Sequence, residues 1–251
     1  MSYFQFEGKN IYYEQIGSGA PLLLLHGDTA SSKMFELVLP LYQDHFKVIL
    51  IDFLGNGRSD RVEAFPAALW NSQGQQVIAL LEHLNCGKVN LLGTSGGAWA
   101  AVNAALERPE LVEKVIADSF DGRTLADNFA ENLLAERTTA KNDSFSRQFY
   151  EWCQGKDWQT VVDLNTRALI QCAEEKLPLF HKPLETLAVP VLFVGSQEDA
   201  MCRKNLAEEY DQMKQLVPDG EIYLFPSGGH PAMLSNGEAF ADLARDFYDK
   251  T

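Results

Sequence analysis

Three residues that could do chemistry together stand just after predicted strands. Ser95 lies in the stretch G-T-S-G-G at 93–97, the carboxylate pair Glu198-Asp199 follows another apolar run, and His230 follows the last one. A serine hydroxyl becomes a useful nucleophile when a histidine takes its proton and a carboxylate orients that histidine. The chain order serine, acid, histidine therefore predicts nucleophilic attack on an acyl carbon.

The stretch around Ser95 has the pattern G-x-S-x-G. It follows the apolar run 88–92 and precedes a run of small residues, which is the order expected of a strand, a sharp turn and a helix. Glycines leave room for the backbone in so tight a corner and push the serine clear of it. Alone, the pattern is equally typical of an ordinary loop, so its interpretation depends on partners elsewhere in the chain.

The order of predicted elements indicates an α/β protein with a mostly parallel central sheet flanked by helices. Strands are predicted near residues 3–6, 11–15, 21–25, 47–51, 88–92, 111–117, 190–194 and 221–225. Between 121 and 185 the pattern is helical only, which predicts a helical cap. The predicted core therefore consists of residues 1–120 and 186–251.

Polar residues gather at the carboxyl ends of these predicted strands. They are His26-Gly27-Asp28, Asp52, Ser95, Glu198-Asp199 and His230. Open α/β sheets bind their ligands outside that edge. The sequence therefore predicts one site at this edge, and a cap of about this length favours a small or medium acyl substrate.

Composition excludes several classes of partner. The formal net charge is −14, and no basic stripe is present, which argues against nucleic acid and anionic membranes as partners. The four cysteines, at 86, 153, 172 and 202, show no metal-ligand spacing, and the glycine-rich turn at 55–59 lacks a phosphate-loop ending. We expect a soluble cytoplasmic protein with no cofactor and no metal; nothing in the sequence indicates an oligomeric state.

Together the motifs resemble the α/β-hydrolase family, in the form that carries a short helical cap. The matching segments are His26-Gly27, the turn at 52–59, the stretch at 93–97, the turn at 195–199, and Gly229-His230. They span nearly the whole chain except the predicted cap. The resemblance implies the corresponding fold, with Ser95 as nucleophile and His230 as base.

The resemblance also implies an oxyanion hole formed by the backbone N–H groups of Gly96 and Asp28. His26 is expected to shape the loop that carries Asp28. A carboxylate at Asp28 would repel a developing oxyanion if it turned inward. We therefore expect it to turn away and to cap a helix that starts near Ser31.

The acid is either Glu198 or Asp199. Many members of the family place it three residues after the strand-end glycine, which gives Glu198, and four residues after gives Asp199. Asp199 is favoured, because the shorter side chain is the usual choice and G-S-x-E-D resembles a recurring variant.

The leading functional prediction is a serine hydrolase that cleaves a small carboxylic ester, lactone or thioester. The same residues could support carbon–carbon bond hydrolysis or acyl transfer, and a ligand-binding receptor with a slow or vestigial triad is the alternative from another class. A serine at position 95 argues against the haloalkane dehalogenases and epoxide hydrolases, which use aspartate there. Arg123, just past the last predicted strand before the cap helices, is a candidate partner for a substrate carboxylate.

Overall fold

The computed structural model describes residues 2–250, which form one eight-stranded sheet in the order β1-β2-β4-β3-β5-β6-β7-β8. The first two strands form an antiparallel hairpin, β2 also pairs antiparallel with β4, and all other neighbours are parallel. The strands are β1 Ser2–Phe6, β2 Lys9–Ile16, β3 Ala20–Leu25, β4 Phe46–Ile51, β5 Val89–Thr94, β6 Val112–Asp118, β7 Val191–Ser196 and β8 Gly220–Phe225. The predicted α/β class with a mostly parallel sheet is confirmed.

Helices cover both faces of this sheet. They are α1 Leu69–Leu84, α2 Gly96–Glu107, α3 Phe129–Asn142, α4 Ser144–Gln154, α5 Trp158–Glu174, α6 Leu206–Leu216, α7 Ala232–Ser235 and α8 Gly237–Asp249. Of these, α3, α4 and α5 follow one another without an intervening strand and lie within the segment predicted as the cap.

The apolar run of β3 shows how the two faces are built. Leu23 and Leu25 pack with α1 and α2 in one hydrophobic core, whereas Leu22 and Leu24 pack with α8 in the other. All four side chains are fully buried. Burial of one such leucine stabilises the fold by roughly 1.5–3 kcal/mol, which explains why a continuous apolar run indicates a strand covered on both sides.

The segment after β3 differs from the predicted helix. It forms two short 3₁₀ helices, Ser32–Leu37 and Leu39–Leu41, instead of one α-helix. Pro40 has no N–H and cannot continue an α-helix through this position. The side chain of Ser31 does not cap the first of them, and its Oγ donates instead to the carbonyl of Cys153, 2.9 Å away.

Polar contacts join α4 to the loops at the carboxyl edge of the sheet. Gln154 Nε2 donates to the Ala30 carbonyl at 2.7 Å, and Gln154 Oε1 accepts from Gly57 N at 2.8 Å. Arg61 adds an ion pair with Asp157 at 2.8 Å. Residues from the helical segment thus cover the edge where the candidate site residues lie.

No helix between residues 2 and 250 combines the length and the apolar character that crossing a bilayer requires. All four cysteines are free thiols.

Candidate active site

Ser95 occupies a sharp turn between β5 and α2. Its backbone has φ 54° and ψ −124°, a conformation that costs a residue with a side chain of order 1–3 kcal/mol. Two glycines make the turn possible, because a Cβ on Gly93 would collide with the carbonyl of Gly97, and one on Gly97 would collide with the carbonyl of Leu25. Strain of this kind is characteristic of functional positions.

The N–H groups predicted to form the oxyanion hole belong to two segments that adjoin Ser95. Within residues 2–250, the N–H groups of Gly96 and Asp28 donate no hydrogen bond to another part of the chain. The positive end of the α2 dipole adds to their effect on a negative charge. Gly27 lies against the serine, since a Cβ on it would come within 2.9 Å of Ser95 Cβ. The two predicted oxyanion donors therefore flank Ser95 and are free to donate.

Asp118, at the end of β6, holds the turn of Ser95 and the loop of His230 together. Its carbonyl accepts from Ser95 N at 2.8 Å, and its carboxylate accepts from Thr94 Oγ1 at 3.0 Å and from Met233 N at 3.2 Å. Burial raises the pKa of Asp118 to about 6, although these donors favour the charged form. Residue 118 was not selected from the sequence, yet it stands at a strand end like the other candidates.

His230 makes its close polar contact with Asp199. Nδ1 lies 2.8 Å from Asp199 Oδ2, and Asp199 Oδ1 accepts from Met201 N at 2.9 Å. The Asp199 side chain is fully buried and that of His230 is 14% exposed. Burial opposes ionisation of Asp199, but the hydrogen bond and charge of His230 outweigh it and lower the pKa of the carboxyl group. An ionised Asp199 places the imidazole proton on Nδ1 and leaves Nε2 free to accept a proton.

The two candidates for the acid, Glu198 and Asp199, differ in burial. Asp199 is buried beside His230, whereas Glu198 is an exposed residue. Asp52, another acid at this edge, is committed to the turn that follows β4, since it accepts from Ser32 N and Arg58 N, each at 2.8 Å. Only Asp199 of these three contacts the imidazole.

Ser95 and His230 lie on neighbouring loops but, among the described residues, Ser95 Oγ makes no direct hydrogen bond to the imidazole. Both loops are bonded to Asp118, and Gly27, which precedes Asp28, lies against Ser95. In ligand-free sites the hydrogen bond from nucleophile to base is often long, and it shortens when substrate binds.

The expectation for the side chain of Asp28 is wrong. It caps no helix: Oδ2 accepts from Trp70 Nε1 and Oδ1 accepts from Asn165 Nδ2, each at 3.2 Å. The carboxylate also faces Gly96, because a Cβ there would come within 2.5 Å of Asp28 Oδ2. Two donors from distant elements therefore draw the carboxylate inward, toward the predicted oxyanion hole.

The environment of this carboxylate changes its ionisation. Burial raises the pKa of Asp28, while the charge of Arg137 and the two hydrogen bonds oppose that rise. The neutral carboxylic acid thus persists to higher pH than in an exposed aspartate. The negative charge, once formed, lies where an oxyanion would develop.

We expect Asp28→Asn to raise kcat/KM for a neutral ester by about ten-fold, equivalent to ~1.4 kcal/mol in the barrier, because it removes a like charge from beside the oxyanion. The carboxylate ionises as pH rises through its raised pKa, so the gain should grow from small to its full size over a titration from acidic to alkaline pH. Asp44→Asn, at an exposed acid, is the matched control. Equal rates for Asp28→Asn and the parent enzyme across this range would show that the carboxylate does not act on the oxyanion.

His26 has the structural role expected of it. Its Nε2 accepts from Phe53 N at 3.0 Å, and its Nδ1 lies 2.8 Å from the Gly27 carbonyl. The buried ring thereby joins the loop that carries Asp28 to the turn after β4.

Two buried polar atoms from the helical segment lack a partner near Asp28. They are Nε of Arg137 and Oδ1 of Asn165, and each belongs to a side chain that contacts the Asp28–Thr29 loop: Asn165 at Asp28, and Arg137 at Thr29 Oγ1, 3.0 Å away. A buried polar atom without a partner costs roughly 1–3 kcal/mol. One unpaired donor and one unpaired acceptor therefore remain beside the loop that carries Asp28.

Arg123, which the sequence suggested as a partner for a substrate carboxylate, already has a partner within the chain. Its guanidinium is bonded to both carboxylate oxygens of Glu209, at 2.8 and 3.0 Å, so its charge is already paired. Sequence reasoning also missed Trp70, Arg137 and Asn165, because nothing local in α1, α3 or α5 indicates contact with a loop more than 40 residues away.

The family model for the alpha/beta hydrolase family matches residues 22–243. The chain belongs to the alpha/beta hydrolase family. The match includes Ser95, Asp199 and His230, so the resemblance seen in the motifs is confirmed at the level of the family.

Several members of the alpha/beta hydrolase family are similar to this chain. The uncharacterized hydrolase YugF of Bacillus subtilis (strain 168) is 34% identical over 115 residues, 45% of this chain and 42% of YugF. A 2-hydroxy-6-oxo-6-(2'-aminophenyl)hexa-2,4-dienoic acid hydrolase of Metapseudomonas resinovorans is 23% identical over 97% of this chain and 89% of its own length. The structure of the esterase EaEST from Exiguobacterium antarcticum superposes with a TM-score of 0.77 at 22% identity, over 99% of both chains.

Proposed function

We propose that this alpha/beta hydrolase is a serine hydrolase that cleaves a small carboxylic ester, lactone or thioester through Ser95, His230 and Asp199. The observation that carries the proposal is the contact of 2.8 Å between buried Asp199 and His230, on a loop bonded to the same residue as the strained turn of Ser95. A serine in an ordinary loop would not be expected to share a bonded residue with a buried carboxylate–histidine pair.

The proposed reaction has two halves. Ser95 Oγ attacks the acyl carbon while His230 Nε2 takes its proton, and the N–H groups of Gly96 and Asp28 donate to the tetrahedral oxyanion. The imidazolium, stabilised by Asp199, returns the proton to the leaving group. Water then attacks the acyl-enzyme, with His230 again acting as base, and releases the carboxylic acid and free Ser95.

The unpaired atoms of Arg137 and Asn165 favour an acyl group that carries its own hydrogen-bonding substituent. A hydroxyl group can donate to an acceptor such as Asn165 Oδ1 or accept from a donor such as Arg137 Nε. A purely apolar acyl chain would bury both atoms without partners, at a cost in binding.

A panel of activated substrates tests the proposal. We expect p-nitrophenyl butyrate to be hydrolysed, and p-nitrophenyl 3-hydroxybutyrate to give a kcat/KM higher by at least about ten-fold. Short lactones, short thioesters and vinylogous 1,5-diketones belong in the same panel. Asn165→Leu should remove the preference for the hydroxylated ester without abolishing hydrolysis.

The outcomes separate the alternatives. Turnover of the diketones without turnover of any ester would favour carbon–carbon bond hydrolysis, and transfer to an added alcohol in place of water would favour acyl transfer. Stoichiometric binding of these compounds by folded protein without any turnover would favour the receptor and contradict the proposed function.

A further inference from the structure

Cys202 lies beside the His230–Asp199 pair, although the proposed hydrolysis makes no use of a thiol. Its Sγ is 3.4 Å from Asp199 Oδ2 and 4.0 Å from His230 Nδ1. With the 2.8 Å contact between His230 and Asp199, the three donor atoms all lie within 4.8 Å of one another. A sulfur, a nitrogen and an oxygen thus converge on one point.

The turn after β7 produces this arrangement. Asp199 Oδ1 accepts from Met201 N at 2.9 Å, which folds residues 199–202 back so that Cys202 returns over the carboxylate. Met201 and Gly229 on either side are exposed, and the His230 side chain keeps 14% of its surface accessible. Solvent therefore reaches His230 and the partly buried Cys202, whereas the Asp199 side chain is fully buried beside them.

The donor set and its spacing suit a zinc ion. Zn²⁺ binds thiolate sulfur at about 2.3 Å, imidazole nitrogen at about 2.0–2.1 Å and carboxylate oxygen at about 2.0–2.2 Å, and tetrahedral geometry then separates the donors by roughly 3.3–3.6 Å. The observed separations, from 2.8 to 4.0 Å, bracket this range. Small side-chain rotations suffice to bring the atoms into place, and the fourth position is left for water.

Charge also favours a cation here. Two further carboxylates are tied to the same loops, since Asp118 accepts from Met233 N at 3.2 Å and Asp121 accepts from Arg203 N at 2.7 Å. A divalent ion held at His230 would be attracted by their negative charge.

We propose that Asp199, Cys202 and His230 form a binding site for Zn²⁺ or a similar thiophilic divalent cation, and that its occupancy switches hydrolysis off. Binding replaces the His230–Asp199 hydrogen bond by metal–nitrogen and metal–oxygen bonds. The Cys202 thiol releases its proton to solvent, and the imidazole proton moves from Nδ1 to Nε2. Nε2 then carries a proton and cannot accept one from Ser95, so removal of the metal should restore activity.

The binding half of this proposal is independent of the proposed function, and the switching half rests on it. Binding is therefore measured in Ser95→Ala, with Co²⁺ as a spectroscopic probe. We expect one equivalent of Co²⁺ to produce a thiolate-to-cobalt charge-transfer band in the near ultraviolet, and Zn²⁺ to displace it. Cys202→Ser and Cys202→Ala should lose the band and weaken Zn²⁺ binding by about 100-fold or more, whereas Cys86→Ala, at an exposed cysteine elsewhere, should keep both.

Circular dichroism and thermal unfolding confirm that each variant is folded. A folded Ser95→Ala protein without the band, or a band that persists in both Cys202 variants, would refute the site. In enzyme with Ser95 intact, micromolar Zn²⁺ should inhibit and EDTA should restore activity, and Cys202→Ser should resist inhibition. Binding through Cys202 without inhibition would refute the switch alone, whereas binding in a protein that hydrolyses no substrate would leave the site standing and refute the proposed function.

Discussion

Asp199→Asn is expected to lower kcat by about 10⁴-fold, whereas Glu198→Gln should leave it within about two-fold. The reason is the tautomer of His230. A carboxylate at 199 accepts the proton of Nδ1, but the amide NH₂ of asparagine donates to Nδ1 and leaves the ring proton on Nε2. An imidazole in that state cannot act as base toward Ser95.

The two variants form a matched pair, because each removes one charge from the same turn. Steady-state kinetics on one activated ester measures both effects, and the unfolding transition checks that the turn persists. A large loss for Glu198→Gln with a small one for Asp199→Asn would reverse the assignment. Equal small losses would remove both residues from the triad.

Ser95→Ala is expected to lower kcat by at least about 10⁴-fold, toward the roughly 10⁶-fold loss known for removal of a serine nucleophile. KM should change little, since the hydroxyl makes its contribution in the transition state. Ser144→Ala, at an exposed serine in the first turn of α4, is the control and should retain full activity.

Ser95→Gly also tests the backbone strain at this position, through the free energy of unfolding. It should be equally inactive, yet its free energy of unfolding should be higher by ~1 kcal/mol than that of Ser95→Ala, because glycine relieves the strain at φ 54°. Retained activity in Ser95→Ala would show that another group does the chemistry. Equal stability of the alanine and glycine variants would show that the turn stores no strain.

Much of this architecture could be predicted because its signals are local. The apolar runs identify the strands, and the glycines at 93 and 97 identify the turn of Ser95, since only residues without a side chain fit there. Parallel strands end at one edge of a sheet, so His230 and the 198–199 pair could be assigned to the same edge without a structure.

What the sequence predicted wrongly or left open depends on contacts that its local pattern does not show. The orientation of Asp28 depends on Trp70 and Asn165, which are 42 and 137 residues away. The choice between Glu198 and Asp199 depends on the turn formed by Met201 N, because a shift of one residue exchanges the buried side chain for the exposed one. Cys202 reaches His230 through the same turn, and its spacing in the sequence matches no metal motif.

The prediction of an α-helix between β3 and β4 was wrong for a related reason. Its apolar spacing fits an α-helix, but the N–H of Ser32 donates to Asp52, a residue from the end of the next strand. The hydrogen bonds of this segment thus depend on tertiary partners, and these partners override its intrinsic helix propensity.

Peptide mapping after reaction with a fluorophosphonate tests the central claim most directly. We predict one covalent phosphonyl adduct per chain, located on Ser95 by mass spectrometry, absent in Ser95→Ala and formed far more slowly in Asp199→Asn. Folded protein that formed no adduct, or an adduct on a residue other than Ser95, would contradict the proposed role of Ser95 as the nucleophile.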